Sequence, residues 1–220
     1  MSSNTACFLL TLLSLVLISC LYDSLFGYDS VFYPQPSWEE RSVVDVDEVR
    51  CGVRPRLWCP TPAVLAEASN DDEFVRNLRD LSLHNDLSDY SQSVRKLVNL
   101  KRVALSFTKN TTGFLESLPP GVTSLILDGT DLYKSPNGGM SWSEDHSDRL
   151  LSRMQLIADC ESLEELFIGP WDKRFTTPAC ECLPELQSLR KLKIEWGTER
   201  DIAALRAALP NCKVILVTEH

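Results

Sequence analysis

The side chains that could carry chemistry in this chain of 220 residues are chiefly eight cysteines and three histidines. A thiol acts as a nucleophile when a base lies beside it, and no local motif here pairs a cysteine with a histidine. The sequence contains neither a Gly-x-Ser-x-Gly turn nor a glycine-rich phosphate loop. The sequence therefore predicts a protein that is not an enzyme. A Cys–His centre that uses His84 or His146 is the alternative.

The same residues do not follow a metal-ligand pattern. Cys180 and Cys182 are separated by one residue, whereas the cysteine pairs of zinc sites are separated by at least two. No second pair of ligands lies nearby, and His84, His146 and His220 are scattered along the chain. We therefore expect no metal and no cofactor.

Six cysteines lie outside the N-terminal apolar segment, and disulfide pairing requires an even number. The connectivity cannot be read from the sequence. Alternatively, some of the six are small apolar core residues. The six are Cys51, Cys59, Cys160, Cys180, Cys182 and Cys212.

The charge balance narrows the class of partner. Lys and Arg total 22 and Asp and Glu total 31, which gives a formal net charge of −9. Nucleic-acid binding depends on clustered bases that contact phosphates, so the acidic balance argues against a nucleic-acid partner. Hydrophobic residues make up 44% of the chain, which is enough to fill a core.

The N-terminus carries an uninterrupted apolar run over residues 6–22. A helix that is apolar on every side belongs in lipid or a translocon, so residues 1–22 are predicted to be a signal peptide or a membrane anchor. Leu17–Cys20 resembles a bacterial lipobox, which would make Cys20 the lipidated residue, although no base precedes the run. A transmembrane anchor, a lipoprotein and a cleaved signal are the three alternatives.

Each of these alternatives places the rest of the chain outside the cytoplasm, membrane-anchored or exported. Residues 23–49 contain most of the acidic excess together with Pro34 and Pro36. Proline and like charges keep a segment extended, so this stretch is predicted to be an acidic tether.

The rest of the chain is repetitive. Segments of the form L-x-x-L-x-L recur, and their x-L-x-L part alternates as a half-buried strand does. The middle apolar residues are spaced by 22, 22, 41, 26 and 22 residues, and the interval of 41 holds an insertion at about 133–148. That insertion, which contains Trp142, is either a surface loop or a partner contact. The middle residues are Leu81, Val103, Leu125, Leu166, Leu192 and Val214.

This pattern resembles the leucine-rich repeat family. The resemblance implies an α/β fold: a short, degenerate, bacterial-type solenoid with a parallel inner sheet and outer helices or turns, preceded by the N-terminal apolar helix. Residues 50–73 would be an N-terminal cap and residues 74–220 the repeat domain. Because extracellular repeat proteins often bridge such a cap, the resemblance also implies a Cys51–Cys59 disulfide. Helices are predicted over Tyr90–Leu97, Arg149–Asp159 and Glu199–Leu209.

The family pattern continues with a small polar residue three positions after the last strand leucine. Asp86, Thr108 and Thr130 fit this position, whereas Trp171 and Gly197 do not. Trp171 is therefore interpreted in two ways, as a binding residue or as a core residue below the edge of its coil.

The implied function is non-catalytic binding of a protein or peptide on the concave face of the solenoid. Aromatic side chains beside bases are typical of binding hot spots. A structural envelope protein without a dedicated ligand and a soluble cytosolic adaptor are the alternatives. The predicted binding residues are Arg102, Asp128, Glu165, Phe167, Trp171, Lys191, Lys193 and Trp196.

Overall fold

The computed structural model describes residues 45–130, 147–171 and 173–217. All of them belong to one compact unit, Ser37–His220. The predicted apolar helix over residues 1–22, the lipidation site Cys20 and most of the insertion at 133–148 lie outside the described residues.

A single parallel sheet organises the described part of the chain. Its strands are hydrogen-bonded in the order in which they occur in the sequence, so each strand pairs with the next one along the chain. This stepwise parallel order is what a repeat solenoid produces. The strands are β1 (Arg56–Trp58), β2 (Asp80–Asp86), β3 (Arg102–Lys109), β4 (Ser124–Asp128), β5 (Glu165–Gly169), β6 (Lys191–Glu195) and β7 (Lys213–Val217).

The register of the sheet agrees with the repeat. Leu81 pairs with Val103, Val103 with Leu125, and the series continues through every middle apolar residue to Val214. The spacing of 41 residues therefore spans one coil, as predicted. The strand β1 was not predicted. In this strand Leu57 pairs with Leu81, so the repeat register begins one strand earlier than predicted. Leu57 lies within residues 50–73, which were interpreted as an N-terminal cap.

Short helices lie between the strands. Three predicted helices are confirmed as α3, α5 and α7, with no end more than two residues from its predicted position. The remaining four were not predicted because they are too short to show a clear period. The α-helices between the strands are α1 (Pro62–Ala68), α2 (Asp72–Asn77), α3 (Ser91–Lys96), α4 (Thr111–Leu115), α5 (Ser147–Ala158), α6 (Thr176–Cys182) and α7 (Glu199–Ala208). Residues 45–50, before β1, are also helical and bury Val46 and Val49 in the core, so the end of the predicted tether is helical rather than extended.

The alternation of the strands separates a core face from an exposed face. In β4, Leu125 and Leu127 are fully buried while the three residues beside them stay partly exposed. The inward leucines share one apolar cluster with the buried residues of the helices, such as Ile202 and Leu205 of α7. Since the helices cover one face of the sheet, the residues between the leucines line its other face.

Candidate functional site

The exposed face carries a groove of about 240 Å³ over strands β3 to β6. The repeat register explains why its side chains meet. Ser124 pairs with Glu165, and Glu165 pairs with Lys191, so residues far apart in sequence become neighbours across the sheet. Five predicted binding residues line this groove: Arg102, Glu165, Phe167, Lys191 and Lys193.

The floor of the groove is apolar. Ile126 pairs with Phe167 on the neighbouring strand, and both side chains are half-exposed. Gly169 leaves room for two side chains of the exposed face, because a Cβ atom there would lie 2.6 Å from the Glu195 Oε2 atom and 3.0 Å from the Phe167 Cε1 atom. The absence of a side chain at Gly169 therefore lets the Phe167 ring lie close to the backbone of its own strand.

Charged side chains lie around this floor. The Lys191 Nζ atom donates to the Glu165 Oε1 atom at 3.2 Å, which neutralises one cation of the groove. The Arg102 Nε atom contacts the Ser124 hydroxyl at 3.5 Å. Lys193 lies beside Phe167, since those two residues pair across β5 and β6. The groove thus combines an aromatic side chain with three basic ones.

Asp128 lies at the carboxyl end of β4, on the same exposed face but outside the groove. Partial burial raises the pKa of its carboxyl, and the nearby His84 imidazole acts in the opposite direction. The His84 Nδ1 atom lies 3.1 Å from the Ser106 carbonyl oxygen, so this nitrogen donates the hydrogen bond. Asp128 is therefore placed near the predicted surface but is separate from its apolar floor.

Exposed aromatic residues surround the face, and two of them were not predicted. Trp196 follows β6 with 62% of its surface exposed and a φ of 63°, and Phe107 near the end of β3 is 68% exposed with a φ of 51°. Bulky residues rarely adopt this left-handed conformation. Trp58 on β1 is 53% exposed and lies 6.1 Å, centroid to centroid, from the His84 ring. The repeat could not have identified Phe107, because alternation along β3 would place the residue after the outward-facing Ser106 on the core side.

Trp171 requires a correction. It was placed among the binding residues, but only 5% of its surface is exposed. Its ring packs against Phe175 with centroids 5.9 Å apart, and its indole nitrogen donates to the Thr176 hydroxyl at 3.3 Å. Trp171 is therefore a core residue below the edge of its coil, which was the alternative interpretation.

The predicted Cys51–Cys59 disulfide is not formed in the structure. Both cysteines are free thiols; Cys51 is exposed, whereas Cys59 is half-buried at the end of β1, and burial raises its pKa to about 11. The Cys160 thiol is likewise free and donates to the Leu156 carbonyl oxygen at 3.6 Å inside its own coil. Cys160, Cys180 and Cys212 pack against the core as small apolar residues.

Two further features bear on the predicted site, namely metal ligation and membrane insertion. No group of three or more histidine, cysteine or acidic side chains in the described part of the chain is arranged to hold a metal ion. Among residues 45–130, 147–171 and 173–217, no helix combines the length and the apolar character that crossing a bilayer requires.

Comparisons with known proteins add little to this geometry. No protein-family model matches the chain, and no curated protein matches it in sequence. Among solved structures, the chain is similar to a leucine-rich repeat-containing protein, LegL7 from Legionella pneumophila, with a TM-score of 0.27. The identity is 15%, over 74% of this chain and 73% of that one. With so low a TM-score, this neighbour says nothing about what the present chain binds.

Proposed function

We propose that this chain is a non-catalytic protein-binding module of the leucine-rich repeat type. The exposed face of its parallel sheet would hold a segment of another protein. The observation that carries this proposal is the groove over β3 to β6, where the half-exposed Phe167 ring lies among basic side chains. Hot spots of protein interfaces combine an aromatic anchor with basic groups in this way.

The geometry of the sheet supports this function. Each groove residue projects from a strand that is hydrogen-bonded on both sides, so little backbone freedom is lost when a partner binds. The leucines below these residues are buried, as Leu125 and Leu166 illustrate with at most 1% of their surface exposed. A preorganised surface of this kind suits recognition by shape and charge complementarity.

The test is a peptide selection against the immobilised protein, followed by titration calorimetry of the selected peptides with variants. We expect Phe167→Ala to weaken binding by roughly tenfold or more, as truncation of an aromatic hot spot does. Val98→Ala is the matched control, because Val98 is 63% exposed and does not line the groove. Circular dichroism would show that both variants fold. If the selected peptides bind the Phe167→Ala variant as tightly as the wild type, the exposed face is excluded as the binding site.

We also propose that the repeat domain is membrane-tethered or exported, as the apolar residues 6–22 indicate. The free thiols of Cys51 and Cys59 do not support this placement, so the state of the thiols in the native protein is a direct test. Mass spectrometry without reduction would identify the mature N-terminus and the bridged cysteines together. A chain that begins at lipid-modified Cys20, or an intact Met1 with Cys51 and Cys59 bridged, would support the proposal. An intact Met1 with every cysteine alkylated would support the cytosolic adaptor instead.

A further inference from the structure

We infer that the groove binds an extended acidic peptide segment, with two carboxylate side chains four residues apart and an apolar side chain midway between them. The inference rests on the proposed function and specifies the chemistry of the partner.

The first observation is the charge that the groove leaves uncompensated. Lys191 is neutralised by Glu165 at 3.2 Å. Arg102 and Lys193 have no carboxylate partner among the described residues, and Arg102 contacts only the Ser124 hydroxyl through its side chain there. The groove therefore presents two free cations, and a partner that binds there gains most by supplying two carboxylates.

The second observation is the position of the apolar floor between these cations. Arg102 projects from β3 and Lys193 from β6, and the two strands between them contribute Ile126 and Phe167. A partner that contacts both cations must therefore cross the floor. An apolar side chain at that point would bury its surface against the Phe167 ring, whereas a polar one would lose its hydration.

The spacing follows from the dimensions of the sheet. Three inter-strand steps separate β3 from β6, or roughly 14 Å, and the offset of Lys193 along the strands extends the span to roughly 16 Å. An extended peptide advances about 3.3 Å per residue, so the span corresponds to four or five residues. Of these two separations, only four residues places both carboxylates on the same side of the peptide, because alternate side chains point to opposite faces. The residue midway between them then faces the floor.

The surroundings restrict where such a peptide can lie. Asp128 occupies the same face nearer the carboxyl ends of the strands. Its carboxylate repels an acidic segment that moves in that direction, and Glu165 would repel one that does not align with the free cations. The pattern of charges therefore favours one position for the peptide, directly over the groove.

The experiment measures the binding of fluorescein-labelled peptides by fluorescence anisotropy at low salt. The probe peptide carries Glu-x-Leu-x-Glu in a Gly/Ser background. One control peptide moves the second Glu by one residue, and another replaces both Glu residues with Lys. The protein variants are Arg102→Glu and Lys193→Glu, with Arg95→Glu as the matched control. Arg95 is an exposed residue of α3, on the side of the sheet that the helices cover.

We expect each groove variant to bind the probe peptide roughly tenfold more weakly, since reversal replaces an attraction with a repulsion. The Arg95→Glu variant should bind like the wild type. The shifted peptide should bind more weakly than the probe. The Lys peptide should bind the double variant, which carries both Arg102→Glu and Lys193→Glu, better than it binds the wild type. The double variant is therefore an internal check against misfolding.

The inference is overturned if the probe peptide does not bind, or if it binds no better than the shifted peptide. It is also overturned if the protein self-associates through the groove, which sedimentation of the wild type and of Lys193→Glu would reveal. The proposed function has a separate outcome. If the selected peptides bind through Phe167 but lack paired acidic residues, the exposed face remains the binding surface and only the acidic partner is rejected.

Discussion

The corners where the chain leaves its strands differ between the two ends of the sheet. At or just beyond the carboxyl ends of β2, β3 and β4 the corner residue is small and polar: Asp86, Thr108 or Thr130. After β5 and β6 it is Trp171 or Gly197. The difference shows that the coils are closed above the sheet in two ways, by small polar residues at one end and by an aromatic residue or a glycine at the other.

At the first corners the polar groups make hydrogen bonds within one turn and, at Asp86, also to Asn110 of the next coil. The Thr108 hydroxyl lies 3.1 Å from the Thr111 hydroxyl within one turn, and Thr108 is fully buried. Asp86 accepts from the Ser88 amide at 2.9 Å and from the Asn110 side chain at 2.8 Å, but it remains exposed. These corners therefore depend on a few hydrogen bonds, each of modest strength.

At the later corners a chain of hydrogen bonds joins separate coils. The Trp171 indole donates to Thr176, and the Thr176 hydroxyl donates to the Asp201 carboxylate at 2.5 Å. Asp201 also accepts from the amide and the hydroxyl of Thr198, the residue that caps α7. Because burial strengthens such contacts, we expect changes here to cost more than changes at the first corners.

The largest expected effect is that of Trp171→Ala. Removing a buried aromatic leaves a cavity, and the free energy of unfolding should fall by about 3–5 kcal/mol. The measurement is urea unfolding followed by far-UV circular dichroism. Trp196→Ala is the matched control, since Trp196 is 62% exposed and should change stability by no more than about 0.5 kcal/mol. Equal losses in the two variants would show that Trp171 does not support the core.

The second effect is that of Asp201→Ala, which removes one half of the capping box of α7 and the acceptor of Thr176 together. We expect a loss of about 2 kcal/mol in the free energy of unfolding. Burial raises the pKa of this carboxyl, but the hydrogen bonds from Thr176 and Thr198 outweigh it and hold the pKa below its ordinary value.

The sign of the pH dependence follows from that lowered pKa. A carboxyl with a lowered folded pKa contributes stability that is fully present above about pH 4 and is lost as the pH falls through the folded pKa. The difference in stability between the wild type and Asp201→Asn should therefore shrink as the pH falls below about 4. Glu199→Gln, an exposed change in the same helical turn, is the control. A difference that grows on acidification would contradict the assigned hydrogen bonds.

The repeat explains how much of the fold was predictable. The alternation of leucines determined both the strands and their register, because a slip of one residue would expose every leucine. The strand β1 was missed because it offers only one buried apolar residue, Leu57, before the chain turns. Trp171 stayed ambiguous because its position in the repeat does not determine whether a bulky side chain turns inward.

The same distinction applies to the candidate site. Once the register is known, alternation identifies the exposed residues, so Arg102, Phe167 and Lys193 could be named from the sequence. The Lys191–Glu165 ion pair could not be identified, because ion pairing depends on side-chain conformation rather than on position in the repeat. Phe107 was missed because a left-handed backbone at an exposed aromatic residue has no sequence signature here.

The third effect compares two buried threonines at the first corners. Thr108→Val removes a hydroxyl that has a partner in Thr111, and we expect a loss of about 1 kcal/mol in the free energy of unfolding. The Thr130 hydroxyl is buried without a hydrogen-bond partner in the part of the chain that the structure describes. Thr130→Val should therefore leave stability unchanged or raise it slightly, as urea unfolding of the two variants would measure. A larger loss at Thr130 would reveal a contact beyond the described residues.

The smallest effect is at Asp86, the exposed corner. The Ser88 hydroxyl, the Ser88 amide and the Asn110 side chain all donate to its carboxylate and lower its pKa to about 2. The stability that these contacts contribute is present above about pH 4 and is lost as the pH falls through about 2. Because Asp86 is exposed, the effect should escape urea unfolding and be visible in an NMR titration of its side-chain carboxyl. Ser88→Ala should raise the titration midpoint more than Asn110→Gly does, since the hydrogen bond from the Ser88 hydroxyl lowers the pKa of Asp86 more than that from Asn110. A midpoint that neither variant moves would mean that this corner, unlike that of Trp171, is not held by its side chain.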